Sequence, residues 1–161
     1  MKTIIEHPIP ATYDKNSKIL ILGSFPSVKS REYGYFYGHP QNRFWKVISA
    51  IFDDKFPETK EEKRKFLLKH RIAAWDVIAS CEIKGSSDSS ITNVKVNDLR
   101  EILENSKIQK IFVNGKKAAE LYKKYTEPLI KIQAITLPST SPANAAWNLD
   151  KLISAWELIK I

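Results

Sequence analysis

Lys18-Ile-Leu-Ile-Leu-Gly23 is the stretch on which the fold turns. Its apolar residues lack the alternation of a half-exposed strand, and the run stops at glycine, so it reads as a short strand buried on both faces. Working outward, further apolar runs follow at Ile72-Ala-Ala-Trp-Asp-Val-Ile78, at Lys110-Ile-Phe-Val-Asn114 before Gly115, and at Ile132–Leu137. Helical patterns lie between them. Phe44, Trp45, Ile48, Ile51 and Phe52 recur at helical spacing behind Asn42, which stands at an N-cap position. Thr59–Lys69 reads as a charged helix anchored by Phe66, Leu67 and Leu68, and Asn97 as the cap of a short helix through Leu99, Ile102 and Leu103. Lys116–Tyr125 is amphipathic, and Leu149, Leu152, Ile153, Trp156 and Ile159 share one face of a C-terminal helix. Strands alternating with helices specify an α/β layered fold with a mainly parallel sheet. In such sheets ligands bind beyond the carboxyl ends of the strands.

The chain of 161 residues, 43% hydrophobic and 27% charged, is expected to form one globular domain over residues 1–161. No apolar run approaches the ~20 residues of a membrane span. The N-terminal residues lack the apolar core of a secretory signal. The lone Cys81 can form no internal disulfide and build no cysteine-based metal site. Asp residues do not cluster with His, so neither a metal nor a cofactor is expected, and a cytoplasmic setting fits. The net charge of +8 is a reason to consider a polyanionic partner, although much of the excess lies in Lys60–Arg71 and Lys107–Lys131, and the first of these reads as a solvated helix face.

Chemistry is expected in the loops at strand ends. Ser24 to about Gln41 holds Pro26, Gly34, Gly38 and Pro40, so it is expected to form no regular helix, and a long irregular segment in a compact domain is usually functional. Tyr33, Tyr35, Phe36 and Tyr37 crowd it; most are expected to pack the loop onto the body, with one or two left to stack on a flat ligand. His39 is read as structural or as a phosphate contact. Asn42 has two readings: a helix cap, which residue type alone favours, or a carboxamide whose oxygen orients a water. No Ser/His/Asp triad, nucleophile elbow or phosphate-loop pattern is present.

Leu137-Pro-Ser-Thr-Ser-Pro-Ala-Asn144 sets three hydroxyls between two prolines, ahead of a helix expected to start near Ala145. It reads equally as a phosphate site built on free N–H groups or as a capping turn. Asn114 stands at a strand end, either to read a base edge or to make the turn with Gly115. In the polar stretch Gly85–Ser90, Asp88 is expected to cap a turn.

Together these segments resemble the uracil-DNA glycosylase superfamily, nearest to its hypoxanthine-DNA (deoxyinosine) glycosylase branch. The stretches that carry the likeness are Leu22-Gly-Ser-Phe-Pro-Ser27, Tyr37-Gly-His-Pro-Gln-Asn-Arg-Phe-Trp45, Trp75-Asp-Val-Ile-Ala-Ser-Cys81 with Gly85-Ser-Ser-Asp-Ser-Ser-Ile91, and Leu137–Asn144. The resemblance implies three α/β/α layers around a four-stranded parallel sheet, no metal, base flipping, and DNA carrying a damaged or mispaired base as the partner of a monomer. It implies Asn42 as the catalytic group. It implies a substrate pocket of Gly23, Ser24, Phe25, Pro26, Tyr37, His39, Phe44 and Asn114. DNA contacts would come from Ser27, Lys116, Pro138, Ser139, Thr140, Ser141, Pro142, Ala143 and Asn144. Where other branches carry a catalytic Asp or Asn, this chain has Ser24, a departure that points to the deoxyinosine branch. Uracil, xanthine or mismatched thymine as the base, and a catalytically silent DNA-binding module, remain the alternatives.

Overall fold

The structure is a computed structural model that describes residues 3–160, without the side chain of Asp88. The expectation attached to that side chain lies outside the described residues. Four strands, β2 (Ile19–Gly23), β3 (Ile72–Asp76), β6 (Lys110–Asn114) and β7 (Ala134–Leu137), form a parallel sheet in the order β3-β2-β6-β7. Ile19 pairs with Ile72 and with Lys110, and Ile111 with Ala134, so all four strands end together. The chain leaves β2 toward one edge and later returns across it to place β6 on the other side. The order therefore reverses between β2 and β6, where the two crossovers diverge and leave a crevice.

Both faces of β2 are covered, as its unbroken apolar run requires. Ile19 and Ile21 face a core with Phe44, Val47 and Ile48 of α2 (Phe44–Ile51), Phe66 and Leu67 of α3 (Lys60–Lys69), and Leu152 and Trp156 of α7 (Leu149–Trp156). Leu20 and Leu22 face a second core with Ile102 of α4 (Arg100–Glu104) and Ala118 and Leu121 of α5 (Lys116–Leu121). These are the expected layers.

Several local expectations are revised. The Ile72–Ile78 run divides after Asp76: β4 (Ile78–Ile83) joins β1 (Thr3–Glu6) and β5 (Thr92–Val96) in a separate antiparallel sheet of order β1-β4-β5. Asn97 does not cap α4. It is buried, and its amide donates to the carbonyls of Asp76 and Ile78, the two residues flanking the divide. The long loop does contain a helix, α1 (Val28–Tyr33), because Pro26 and Gly34 flank it; Gly34 closes it at φ 87. The amphipathic stretch leaves α-geometry after Leu121 for a π-helical turn, Tyr122–Thr126, followed by α6 (Glu127–Ile130). The C-terminal helix begins at Leu149, not near Ala145, capped by Asn148, which accepts from the Lys151 amide at 2.9 Å.

Candidate active site

The strand ends converge on a cavity of about 480 Å³, within the usual range for a small-ligand site. Gly23, Asp76 and Asn114 supply its floor, and the walls come from Ser24–Ser30, from Phe36, Tyr37, His39 and Asn42, from Ile83 and Ser86, and from Ser139–Ala143.

Thr140, wholly buried, knits the far wall together. Its hydroxyl donates to Asn42 Oδ1 at 2.9 Å and accepts from Asn114 Nδ2 at 3.0 Å, while its backbone amide donates to Asn114 Oδ1 at 3.1 Å. Asn42 Oδ1 also accepts the Phe44 amide at 2.9 Å, at the first turn of α2. One oxygen thus serves the helix start and the Thr140 hydroxyl, so both lone pairs are engaged and the plane of the carboxamide is fixed. Asn42 Nδ2 makes no hydrogen bond to another described residue. Arg43, next along the chain, holds the same wall from behind. Its guanidinium donates to the carbonyls of Ser141 at 2.9 Å, Asn144 at 3.1 Å and Trp147.

The Ser139–Ala143 wall braces itself. Ser141 N donates to Ser139 Oγ, Ala143 N to Ser141 Oγ, and Asn144 Nδ2 to the Ser139 carbonyl. The amides of Thr140, Ser141 and Ala143 are therefore engaged rather than free, and with α7 starting later no helix terminus stands behind the wall. The hydroxyl protons of Ser139 and Ser141 remain its donors. Gly115, at φ 97, lets this segment lie against the end of β6, because a side chain there would meet Ser139 Cβ at 3.0 Å.

Tyr37 adopts a left-handed backbone at φ 53, uncommon outside glycine. Its ring stacks on Phe44 at 4.0 Å between centroids, which carries its hydroxyl toward Gly23. That hydroxyl is buried without a well-formed hydrogen bond. Burial first, and then the Asp76 charge, push the phenol well above its ordinary value; the nearby Asn114 amide exerts a weaker opposing pull. The group stays protonated. Asp76 Oδ2 accepts from His7 Nε2 at 2.7 Å, and both side chains are buried. His7 meets the ring of Phe25 edge-on at 5.8 Å, and Arg31 lies 5.6 Å from the Phe25 centroid.

The cavity thus lies at the sheet's switch point with a clamped carboxamide on its wall. Among the described residues no group of three or more His, Cys, Asp or Glu is placed to hold a metal. The family model of the uracil DNA glycosylase superfamily matches residues 10–160. The chain belongs to this superfamily. A hypoxanthine DNA glycosylase of Methanosarcina acetivorans is 35% identical over 161 residues, covering 97% of this chain and 98% of that protein. A second, from Methanosarcina barkeri, is 32% identical over 154 residues, covering 91% and 92%. The solution NMR structure of a candidate uracil DNA glycosylase from Methanosarcina acetivorans matches with a TM-score of 0.80 at 31% identity, covering 99% of this chain and all of that one.

In this DNA glycosylase most of the residues singled out from sequence do meet at one cavity. Gly23 through Ser27, Tyr37, His39, Asn42, Asn114 and Ser139 through Ala143 all line it. Four do not. Phe44 has no exposed surface and sits beneath Tyr37, so it supports the pocket rather than touching a ligand. Lys116 is exposed on α5, Pro138 accepts from the Trp156 indole at 2.9 Å, and Asn144 braces its own loop. Asn114 lines the cavity, but both ends of its amide are engaged by Thr140, which holds it as a brace rather than leaving it free for a base edge. Among the loop aromatics, Tyr35 and Phe36 pack into the core as expected, the Tyr35 hydroxyl meeting Thr12 at 2.6 Å. Sequence reasoning singled out Trp75-Asp76 without giving Asp76 a role, and it gave none to His7 or Arg43. An Asp closing an apolar strand was a usable signal for the first; His7 had none, being 69 residues away.

Proposed function

We propose that this DNA glycosylase hydrolyses the N-glycosidic bond of deoxyinosine in DNA, releasing hypoxanthine and leaving an abasic site. The observation that carries the proposal is the Asn42 carboxamide, locked by the Phe44 amide and the Thr140 hydroxyl at the rim of a cavity of base-binding size. The two relatives named hypoxanthine DNA glycosylases support the choice of base.

A base stacked in a duplex cannot expose its sugar carbon to water, so the nucleotide is swung out at a cost of a few kcal/mol, less for a mispaired base. The Ser139–Ala143 loop would enter the duplex, with Pro142 and Ala143 exposed at its tip and the Ser139 and Ser141 hydroxyls toward phosphates. His39 adds a donor: its Nδ1 accepts the Gln41 amide at 3.0 Å, which leaves Nε2 to carry the ring proton. A single protomer suffices, because every group invoked comes from one chain.

Asn42 holds the attacking water behind the sugar. Its oxygen is occupied, so the water meets Nδ2 as a donor instead of the oxygen expected from sequence. An amide is no general base at neutral pH; its contribution is placement. The water oxygen forms the new bond to C1′, and the electron pair of the C1′–N9 bond leaves with the purine. The proton shed by the water ends on the released base. Hypoxanthine departs more readily than adenine because its lactam spreads the developing negative charge, and fixed donors in the pocket stabilise that charge.

The test is excision from oligonucleotides carrying one deoxyinosine, deoxyuridine, deoxyxanthosine or mismatched thymidine each, with alkali-labile abasic sites as the readout. Deoxyinosine should be cut best. Asn42→Ala should abolish cleavage while leaving binding to the same duplex intact; wild-type cleavage by that variant would remove Asn42 from the mechanism.

A further inference from the structure

We propose that the amino-terminal edge of the parallel sheet carries a second DNA-backbone site, by which the protein holds another duplex segment while the cavity inspects the first. The site is independent of which base is excised. Much of the basic excess lies in two separate stretches, residues 60–71 and 107–131. The structure joins their facing ends through Ser17 and Lys18. The Lys18 amide donates to the Arg71 carbonyl at 2.8 Å, the Lys107 amide to the Ser17 carbonyl at 3.0 Å, and the Gln109 amide to the Lys18 carbonyl at 2.8 Å. Lys110 then pairs in register with Ile19, as Ile72 does on the other side. Lys18, Lys69, Arg71, Lys107 and Lys110 therefore gather where the strands begin. Among the described residues, Lys69 alone of the five is in an ion pair, with Asp54.

A second cavity, of about 230 Å³, opens among these cations. Lys18, Lys69, His70 and Arg71 line it, over an apolar floor of Ile19, Phe52 and Ile159. Asp54 stands beside it, but its Oδ2 is engaged by Lys69 Nζ at 3.0 Å and by His70 Nε2 at 2.8 Å. The His70 ring in turn stacks on Phe52 at 4.4 Å between centroids. That wall is fixed and its carboxylate neutralised, which leaves Lys18 and Arg71 as the uncompensated cations. Arg71 takes a left-handed backbone at φ 62, a conformation that glycine or asparagine adopts more easily. The turn thus holds an arginine where its backbone alone would favour another residue.

The arrangement suits a repeating anion. Arg71 precedes β3, Lys18 precedes β2 and Lys110 opens β6, so the cations cross three adjacent strands spaced about 4.8 Å apart. The row runs past the cavity, where a site for one small anion would close around it. A phosphodiester backbone is a repeating anion, and the superfamily of this chain acts on DNA. Lysine and arginine bind such a backbone without regard to sequence, by releasing its counterions. A duplex at the active site lies beyond the carboxyl ends of the strands. The length of β2, about 13 Å at ~3.3 Å per residue, separates it from this edge, so both sites can be filled at once. Holding two segments allows direct passage from one to the other during search.

The test fills the active site with a duplex carrying a tetrahydrofuran abasic analogue and measures energy transfer to a second, undamaged duplex across a range of salt. Wild type should bridge the two. Release of the undamaged duplex should also accelerate as competitor duplex is added, the sign of direct transfer. Lys18→Gln with Arg71→Asn should weaken the second duplex about tenfold or more and lower its salt slope by about 2, with affinity for the tetrahydrofuran duplex unchanged. The melting temperature should hold or rise, because asparagine relaxes the left-handed turn. Lys107→Gln with Lys110→Gln, at exposed positions outside the cavity, should weaken the second duplex in the same way. A wild-type protein that binds one duplex only, or a second duplex held equally by both double variants, overturns the proposal. So does a wild type that inorganic phosphate stabilises against melting but that takes up no second duplex, which would make the cavity a small-anion site.

Discussion

Replacing Thr140 with valine removes one hydroxyl and keeps the shape of the side chain. That hydroxyl links Asn42 Oδ1 to Asn114 Nδ2 in a wholly buried position. A buried hydrogen bond is worth about 0.5–1.5 kcal/mol net, and stranding a buried donor costs about 1–3 kcal/mol. Losing both bonds with the Asn114 amide stranded amounts to about 2–6 kcal/mol. In a domain of this size that lowers the melting temperature by roughly 4–24 °C. Catalysis should fall as well, since Asn42 then keeps only the Phe44 amide and its carboxamide can turn. Misplacing a positioning group by an ångström costs about a hundredfold in rate. Single-turnover excision of deoxyinosine at a temperature where the variant is folded isolates this effect. Thr140→Ser, which keeps the hydroxyl, should retain most activity. In an Asn42→Ala background the valine should still destabilise but cause no further loss of rate. Wild-type turnover in Thr140→Val, at full folding, would refute the clamp.

Gly23→Ala should cost about 1–3 kcal/mol by overpacking and abolish excision, because its Cβ would lie 2.4 Å from Asp76 Oδ1; thermal melts and the excision assay report the two effects separately. Arg43→Lys replaces a planar fork that reaches three carbonyls with a single ammonium. It should destabilise by about 2–3 kcal/mol and raise KM for DNA more than it lowers kcat, as steady-state kinetics would show. Alkaline stability should be limited by tyrosines. Burial first, and then the Glu127 charge, push Tyr122 up to about 12 from its ordinary 10. Because the folded value is the higher, the unfolded chain loses this proton first; the contribution is intact below pH 10 and is lost between pH 10 and about 12. Tyr35 and Tyr37 shift in the same direction. Melting temperature should fall across that window, and Tyr122→Phe should flatten part of the fall.

The parallel sheet and the place of its site were legible because they depend on local features. An unbroken apolar run, a glycine stop and helical spacing are visible within a few residues, and their alternation restricts the topology. The loops Ser24–Gln41 and Pro138–Asn144 could be read as functional for the same reason. The small antiparallel sheet was not legible. Thr3–Glu6 is largely exposed, and Ile72–Ile78 looks like one strand until Val77 hydrogen-bonds back to Gly23 and sends the chain into a second sheet. The later start of α7 was hidden because residues 145–148 carry no breaker, and the side-chain cap at Asn148 becomes evident only from its bond to Lys151.

By itself the amino-acid order determined which segments become buried strands and which loops carry polar and aromatic groups, since those are properties of neighbours along the chain. Only the tertiary structure decided which polar atoms face one another. Asn42 reaches Thr140 across 98 residues and His7 reaches Asp76 across 69. Strand order and register make those pairings, and the residues involved carry no local mark of the partner they will meet. The same packing settles contacts that residue type leaves open: Asn114 is braced by Thr140, Phe44 supports Tyr37, and Asp76 accepts from His7.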